Sequence, residues 1–158
     1  MKFRMVDRIV DWQPRRRITG VKAVSFEEYS LRSLWGGPPA LPESLVMECL
    51  FQLGNWLIVL SSDFTRMGLL VRVEEVRFHG PLGPGQSLRM DIEVVAYRDD
   101  GIVFNGVATA AGRPIISGRG CLATPVDLAD FHDPSDLRVL FSEIHRPHQQ
   151  ADGPAGRP

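Results

Sequence analysis

The chain has 158 residues, the usual size of one domain. Hydrophobic residues make up 44% and charged residues 23%, which indicates a globular protein and excludes an intrinsically disordered one. The formal net charge of −1 argues against non-specific electrostatic binding to nucleic acid.

Two features of the sequence predict the compartment. Cys49 and Cys121 are too few for a disulfide scaffold and have no zinc-ligand cluster around them in the sequence, so we expect buried free thiols. The charged N-terminus lacks the apolar core of a signal peptide. A reducing cytoplasm is therefore the expected setting.

A long apolar helix is predicted over residues 42–60, after a short helix or strand at 4–10 and a strand at 18–25. Pro42 suits the first helical turn, because its missing N–H would be unpaired there in any case. The segment is long enough to span a membrane. However, Glu48 lies within it, and a charge at the bilayer centre costs about 2.5–3.5 kcal/mol. We therefore expect a buried helix of a soluble protein and no membrane span.

A narrow polar stripe runs along this helix. Glu48, Gln52 and Asn55 follow the spacing i, i+4 and i+7, so they share one face, and Ser44 extends the stripe by one turn. One interpretation is a satisfied polar network or a solvent-facing strip. The other is a polar spot at the edge of an apolar cavity, where a carboxyl group can donate a proton.

Alternating strands follow the helix. Residues 69–78 change phase at Glu74 and Glu75, which suggests a bulge. Further strands are predicted over 87–98, 102–110 and 115–124, with a hairpin turn at Asp100-Gly101. One apolar helix with several antiparallel strands predicts an α+β fold, in which the sheet curls around the helix. Such a sheet leaves open edges, and pairing into a dimer would close one of them.

The C-terminal part is predicted to form a short surface helix over about 134–145, capped by Asp133 or Ser135. Residues 147–158 are rich in Pro, Gly and Gln and are predicted to be a disordered tail. The expected organisation is therefore a single domain over 1–146, followed by this tail.

Three stretches of the sequence carry a family resemblance. In the opening stretch the matching residues are Val6, Asp7, Arg8, Pro14, Ile18, Lys22 and Val24. In the helix stretch they are Leu41, Pro42, Glu48 and Gln52. In the turn VRFHGPLGPGQSL they are Val76, Arg77, Phe78, Pro81, Pro84, Gly85 and Leu88. With this order and spacing, most of residues 1–124 resembles the FabA/FabZ family of 3-hydroxyacyl-[acyl carrier protein] dehydratases, which implies a dimeric hot-dog fold.

The sequence departs from the family pattern in the loop before the helix. The family reads G-H-F-P-G-H-P, and its first His is the catalytic base, whereas this chain reads SLWGGPP. Leu34 therefore stands at the position of the catalytic His, Trp35 at that of the Phe and Pro38 at that of the second His. The family's glycine whose N–H holds the thioester oxygen becomes Glu43.

The resemblance implies a role for each matching residue. Glu48 is the general acid, Gln52 supports it, and the backbone N–H of Glu43 is the oxyanion donor. The residues implied to line the acyl tunnel are Leu34, Trp35, Gly37, Leu41, Asn55 and Phe78. Acyl carrier proteins are acidic, so a basic contact surface is expected. The candidates for it are Arg15, Arg16, Arg17 and Arg77.

A base is missing from this set, because leucine cannot accept a proton, and a base is typically worth about 10²–10⁴-fold in rate. His79 is predicted in a surface turn, while His132, His145 and His148 lie in the polar C-terminal part. None of the four is expected to reach Glu48. Because the family shares each active site across its dimer, a chain that keeps Glu48 but lacks the His is suited to a His-bearing partner.

The leading hypothesis is a FabZ-like dehydratase or dehydratase subunit of fatty-acid or polyketide-type biosynthesis. Its partners would be an acyl carrier protein or acyl-CoA thioester and a second hot-dog chain, in a homodimer or heterodimer. One alternative is a hot-dog thioesterase in which Glu48 activates a water. Another is a non-catalytic acyl-chain binder that stabilises a partner. We expect no metal and no cofactor, since no such motif is present; Gly80–Gly85 reads as a Pro-rich turn and not as a phosphate loop.

Overall fold

The computed structural model describes residues 4–28, 31–33 and 36–147, which form one antiparallel sheet and two α-helices. The elements in chain order are β1 (Arg8–Gln13), β2 (Arg17–Ala23), α1 (Glu43–Ser61), β3 (Arg66–Arg72), β4 (Glu75–Phe78), β5 (Ser87–Tyr97), β6 (Ile102–Ala110), β7 (Arg113–Asp127), a single 3₁₀ turn (Leu128–Asp130) and α2 (Pro134–Ile144). The predicted α+β fold is confirmed. The N-terminal segment, left open between helix and strand, is a strand that begins at Arg8.

The strand predicted over residues 69–78 is in fact two strands. The change of phase at Glu74 and Glu75 marks the break between β3 and β4. The strand order is β1-β2-β5-β6-β7-β3, and β4 also pairs with β7. Because β7 is 15 residues long, its residues 122–127 pair with β3 while its residues 116–119 pair with β4. β3 and β4 thus form one edge of the sheet and β1 forms the other.

The central helix α1 packs against β2, β3, β5, β6 and β7. Its apolar side chains form much of the core, and Leu50, Leu53 and Leu57 are essentially inaccessible to solvent. The helix is long and apolar enough to cross a membrane, but half of its apolar stretch is buried inside the protein. Its hydrophobicity is therefore explained by its place as the core helix of the fold.

The second helix, α2, begins at a side-chain cap and is docked by aromatic packing. Asp133 accepts a hydrogen bond from the Ser135 backbone N–H at 2.8 Å, which confirms the predicted cap. The ring of Phe141 lies 6.1–6.3 Å from the rings of Trp12, Trp56 and Phe64. These contacts hold α2 against α1 and β1. Most of the predicted disordered tail, residues 148–158, lies outside the described residues.

Both cysteines are expected to be unreactive in the folded protein. Burial raises the pKa of the Cys49 thiol to about 12 and that of Cys121 to about 11, so both remain protonated at about pH 8. Because the thiolate is the reactive form, a disulfide reagent such as DTNB is expected to label neither thiol in the native protein and both in denaturant. Fast labelling of the native protein would contradict this burial.

Candidate functional site

A cavity of about 630 Å³ lies beside α1, and we call it the Glu48 cavity. Its volume is within the range of about 300–1,000 Å³ typical of small-molecule sites. Glu48, Gln52 and Asn55, the polar stripe of α1, line it together. The opposite wall comes from residues 128–144, which follow the sheet. The cavity therefore lies between the core helix and the C-terminal part of the chain.

The polar stripe is held in place by hydrogen bonds along and beyond the helix. Gln52 donates through Nε2 to Oε1 of Glu48 at 2.8 Å and accepts from the backbone N–H of Met5 at 2.9 Å. Asn55 accepts through Oδ1 from the backbone N–H of Gly68 on β3 at 2.8 Å. Glu48, Gln52 and Asn55 thus make hydrogen bonds and also line a cavity, while proton donation by Glu48 stays a prediction. The hydrogen bond from Gln52 orients one carboxylate oxygen of Glu48.

Charged and titratable groups lie around the same cavity. Arg4, His132, Asp133 and Asp136 all contribute to its lining. Hydrogen bonds from Ser135 lower the pKa of the Asp133 carboxyl, which is therefore an anion at neutral pH. Across residues 4–28, 31–33 and 36–147, no group of three or more His, Cys, Asp or Glu side chains is placed to hold a metal ion.

His132 is a lining residue that the sequence analysis did not expect. Its backbone N–H donates to the Leu128 carbonyl at 2.9 Å, which holds it just after the 3₁₀ turn and before α2. The position depends on how the chain folds back over α1 after β7. No periodicity or spacing in the sequence connects residue 132 with residue 48, so their place on one cavity became visible only in three dimensions.

Apolar side chains form the rest of the cavity wall. Trp56 and Val59 come from α1, and Met67 comes from β3. The C-terminal part contributes Leu128, Phe131, Leu137, Leu140 and Ile144. A carboxyl group that is oriented by an amide and lies in the same cavity as these apolar side chains is suited to proton transfer on a ligand with an apolar part.

The other residues implied to line the acyl tunnel are dispersed. Leu34 and Trp35 lie outside the described residues. Gly37 accepts a hydrogen bond from the Ser33 hydroxyl in the loop before α1. Leu41 is 3% exposed and belongs to the core, whereas Phe78 is 38% exposed at the end of β4. Of the tunnel candidates that the structure describes, Asn55 is the one on the lining of the Glu48 cavity.

Glu43, the implied oxyanion donor, is the first residue of α1 and is exposed. Within the described part of the chain, no side chain caps this end of the helix. Glu48 lies five residues after Glu43, which corresponds to about 7.5 Å along the helix axis. Glu43 is not part of the cavity lining. The backbone N–H groups at the N-terminus of α1 and the Glu48 carboxyl are therefore two separate features of one helix.

The basic residues implied to contact a carrier protein fall into two groups. Arg15, Arg16 and Arg17 lie at the turn from β1 to β2, and the guanidinium of Arg15 lies 5.2 Å from the Tyr97 ring centroid. Arg77 is on β4 at the other end of the strand order. It donates to Glu75 at 2.8 Å and lowers the pKa of that carboxyl. The fold therefore does not bring Arg77 into one surface patch with Arg15–Arg17.

Comparison with known sequences gives consistent matches to one family. A family model described as a FabA-like domain matches residues 1–119. The FabZ dehydratase of Caulobacter vibrioides (strain NA1000 / CB15N) is 34% identical over 109 residues, which cover 67% of this chain and 69% of that protein. The FabZ dehydratase of Geotalea uraniireducens (strain Rf4) is 30% identical over 129 residues, which cover 80% and 83%.

Solved structures share the fold at low sequence identity. A Streptococcus mutans UA159 protein solved with bound acetyl CoA aligns with a TM-score of 0.60 and 12% identity, over 80% of this chain and 91% of that one. The dehydratase heterocomplex ApeI:P from Xenorhabdus doucetiae aligns with a TM-score of 0.53 and 14% identity, over 73% and 91%. With the family match, the FabZ relatives and the fold in agreement, this chain belongs to the FabA/FabZ-type family of hot-dog proteins.

Proposed function

We propose that this chain is a FabZ-type dehydratase subunit that acts on 3-hydroxyacyl thioesters carried by an acyl carrier protein in fatty-acid or polyketide-type biosynthesis. The observation that carries the proposal is the Glu48 carboxyl, oriented by Gln52 at 2.8 Å in a cavity whose lining is partly polar and partly apolar. A chain of this composition and family is expected to work as a soluble protein of the cytoplasm.

The proposed reaction assigns a proton transfer to Glu48. A base removes a proton from the carbon beside the thioester carbonyl, and the electron pair forms the new carbon–carbon double bond. The bond to the 3-hydroxyl breaks as Glu48 gives that oxygen its proton, so water leaves. The developing charge on the thioester oxygen needs N–H donors. The uncapped N-terminus of α1, at Glu43, is the proposed source of these donors.

The base is proposed to come from a second hot-dog chain that carries the family's His. Leu34 has no group that accepts a proton, so this chain supplies the acid half of the pair. An exposed apolar edge supports such a partner, since Leu69, Leu70 and Val71 on β3 are 40%, 37% and 58% exposed. A dehydratase heterocomplex among the proteins of similar fold supports it further.

A complementation assay tests the proposal. The partner is a His-bearing FabZ-type protein whose gene lies near the gene for this chain. The catalytic acidic residue of that partner is replaced by Gln, so that the partner alone has no dehydratase activity. We expect each protein alone to dehydrate a 3-hydroxyacyl-pantetheine thioester about 10²–10⁴-fold more slowly than the mixture, because only the mixture combines Glu48 with the family's His in one site. A silent mixture whose two chains co-elute on size exclusion would overturn the proposal.

A thioesterase is the second candidate, in which Glu48 activates a water to attack the thioester carbonyl. It is favoured by the same carboxyl in the same cavity and by a Streptococcus pneumoniae TIGR4 protein of similar fold, described as a hypothetical thioesterase with coenzyme A. Release of free thiol in the assay distinguishes hydrolysis from dehydration. Tight binding of a thioester with neither product would instead indicate a non-catalytic acyl-chain binder.

A further inference from the structure

The C-terminal segment, defined as residues 128–146, lies beyond the residues 1–119 that match the family model. It nevertheless supplies several lining residues of the Glu48 cavity. On α2 these are Asp136, Leu137, Leu140 and Ile144, and the three apolar ones follow the helical spacing i, i+3 and i+7 and so share one face. Val139 on the same helix is 60% exposed. The helix therefore turns three apolar side chains and Asp136 toward the cavity, and its other face toward solvent.

Hydrogen bonds hold the segment in this position at several points. Leu128 donates its backbone N–H to the Thr65 carbonyl at 2.9 Å, where the segment begins. Arg138 donates to the Asp63 carbonyl at 2.8 Å and lies 4.4 Å from the Phe64 ring centroid. At the far end Arg146 donates to the Ile9 carbonyl at 2.9 Å. The segment is anchored along its length, so it acts as a fixed wall of the cavity.

The wall faces apolar side chains of α1 and β3 across the cavity. Trp56 and Val59 of α1 and Met67 of β3 line the same space as the leucines of α2. Glu48 lies two turns before Trp56 on α1, so the reactive carboxyl and this apolar region are successive parts of one cavity. An elongated ligand with one polar, reacting end and one apolar end matches this arrangement.

We propose that the C-terminal segment is the wall that receives the tail of the acyl group and thereby sets the acyl length this chain accepts. The inference rests on the proposed acyl-thioester function. The thioester end lies near Glu48, and the apolar tail extends between α1 and α2 until Leu137 and Leu140 stop it. The residues that set this acyl length would then lie outside the part of the chain that matches the family model.

A chain-length series tests this inference. The probes are non-hydrolysable thioether analogues of acyl-CoA with saturated tails of increasing length, titrated into the 158-residue chain by calorimetry. Burial of each added methylene is expected to tighten Kd about fourfold until the tail reaches the wall, after which Kd stops improving. Leu140→Ala is expected to move this break point to tails about two methylenes longer, and Leu140→Trp to shorter ones.

Controls separate the possible failures. Val139→Ala alters the exposed face of the same helix and is expected to leave the break point unchanged. Leu137→Ala, one turn earlier, is the second variant and is expected to shift it in the same direction as Leu140→Ala. If the analogues bind but all folded variants keep the native break point, the wall inference fails while the acyl-thioester function stands. If no analogue binds the native chain alone or with its partner, the proposed function itself fails.

Discussion

Replacing Glu48 with Gln is expected to lower kcat for dehydration by about 10²–10⁴-fold while leaving the fold intact. The amide has nearly the shape of the carboxyl group, and its Oε1 can still accept the hydrogen bond that Gln52 donates at 2.8 Å. It cannot, however, give a proton to the leaving hydroxyl. The measurement is kcat in the complex with the His-bearing partner whose own acid has been removed, together with a thermal melt of the variant.

A matched control separates the loss of an acid from a change of charge. Glu93→Gln makes the same substitution at an exposed glutamate on β5, away from the cavity lining, and is expected to leave kcat unchanged. Glu48→Asp keeps a carboxyl group on a side chain that is one methylene shorter. Its kcat is therefore expected to lie between those of the native protein and of Glu48→Gln. A complex that stays fully active with Glu48→Gln would remove Glu48 from the mechanism.

Gly54→Ala is expected to destabilise the protein by about 1–3 kcal/mol, because it overpacks the core where α1 crosses β6. A Cβ at this position would lie 2.6 Å from Cζ and 2.8 Å from Cε2 of Phe104. The Phe104 ring is 2% exposed, so it has little room to move away. The effect is opposite in sign to helix propensity, which by itself favours Ala over Gly by about 1 kcal/mol. Urea denaturation measures the free energy of unfolding.

A double-mutant cycle tests the cause of this destabilisation. Phe104→Leu removes the ring that the new Cβ would meet, so Gly54→Ala is expected to cost less in the Phe104→Leu background than in the native one. Gly80→Ala is the matched control, because a Cβ there meets nothing within 4 Å, and it is expected to change stability by less than about 1 kcal/mol. Equal costs of Gly54→Ala in both backgrounds would contradict the close-approach explanation.

The secondary structure was largely predictable because it depends on local patterns. An apolar run that begins at a proline predicted α1 to within one residue at each end, and alternation predicted the strand at Ile102–Ala110 without change. The phase change at Glu74 and Glu75 was visible, but whether it marked a bulge or two strands was not. The structure shows two strands, because β7 is long enough for β3 and β4 to pair with separate parts of it.

By itself, the sequence determined the α+β class, the family and the shared face of Glu48, Gln52 and Asn55, since helical periodicity places residues on a face wherever the helix packs. Only the tertiary structure decided what lies opposite that face. His132 and Leu140 reach the Glu48 cavity because Phe141 and other distant contacts hold the C-terminal segment against α1. Such contacts join residues far apart in the chain, and no local period or propensity records them.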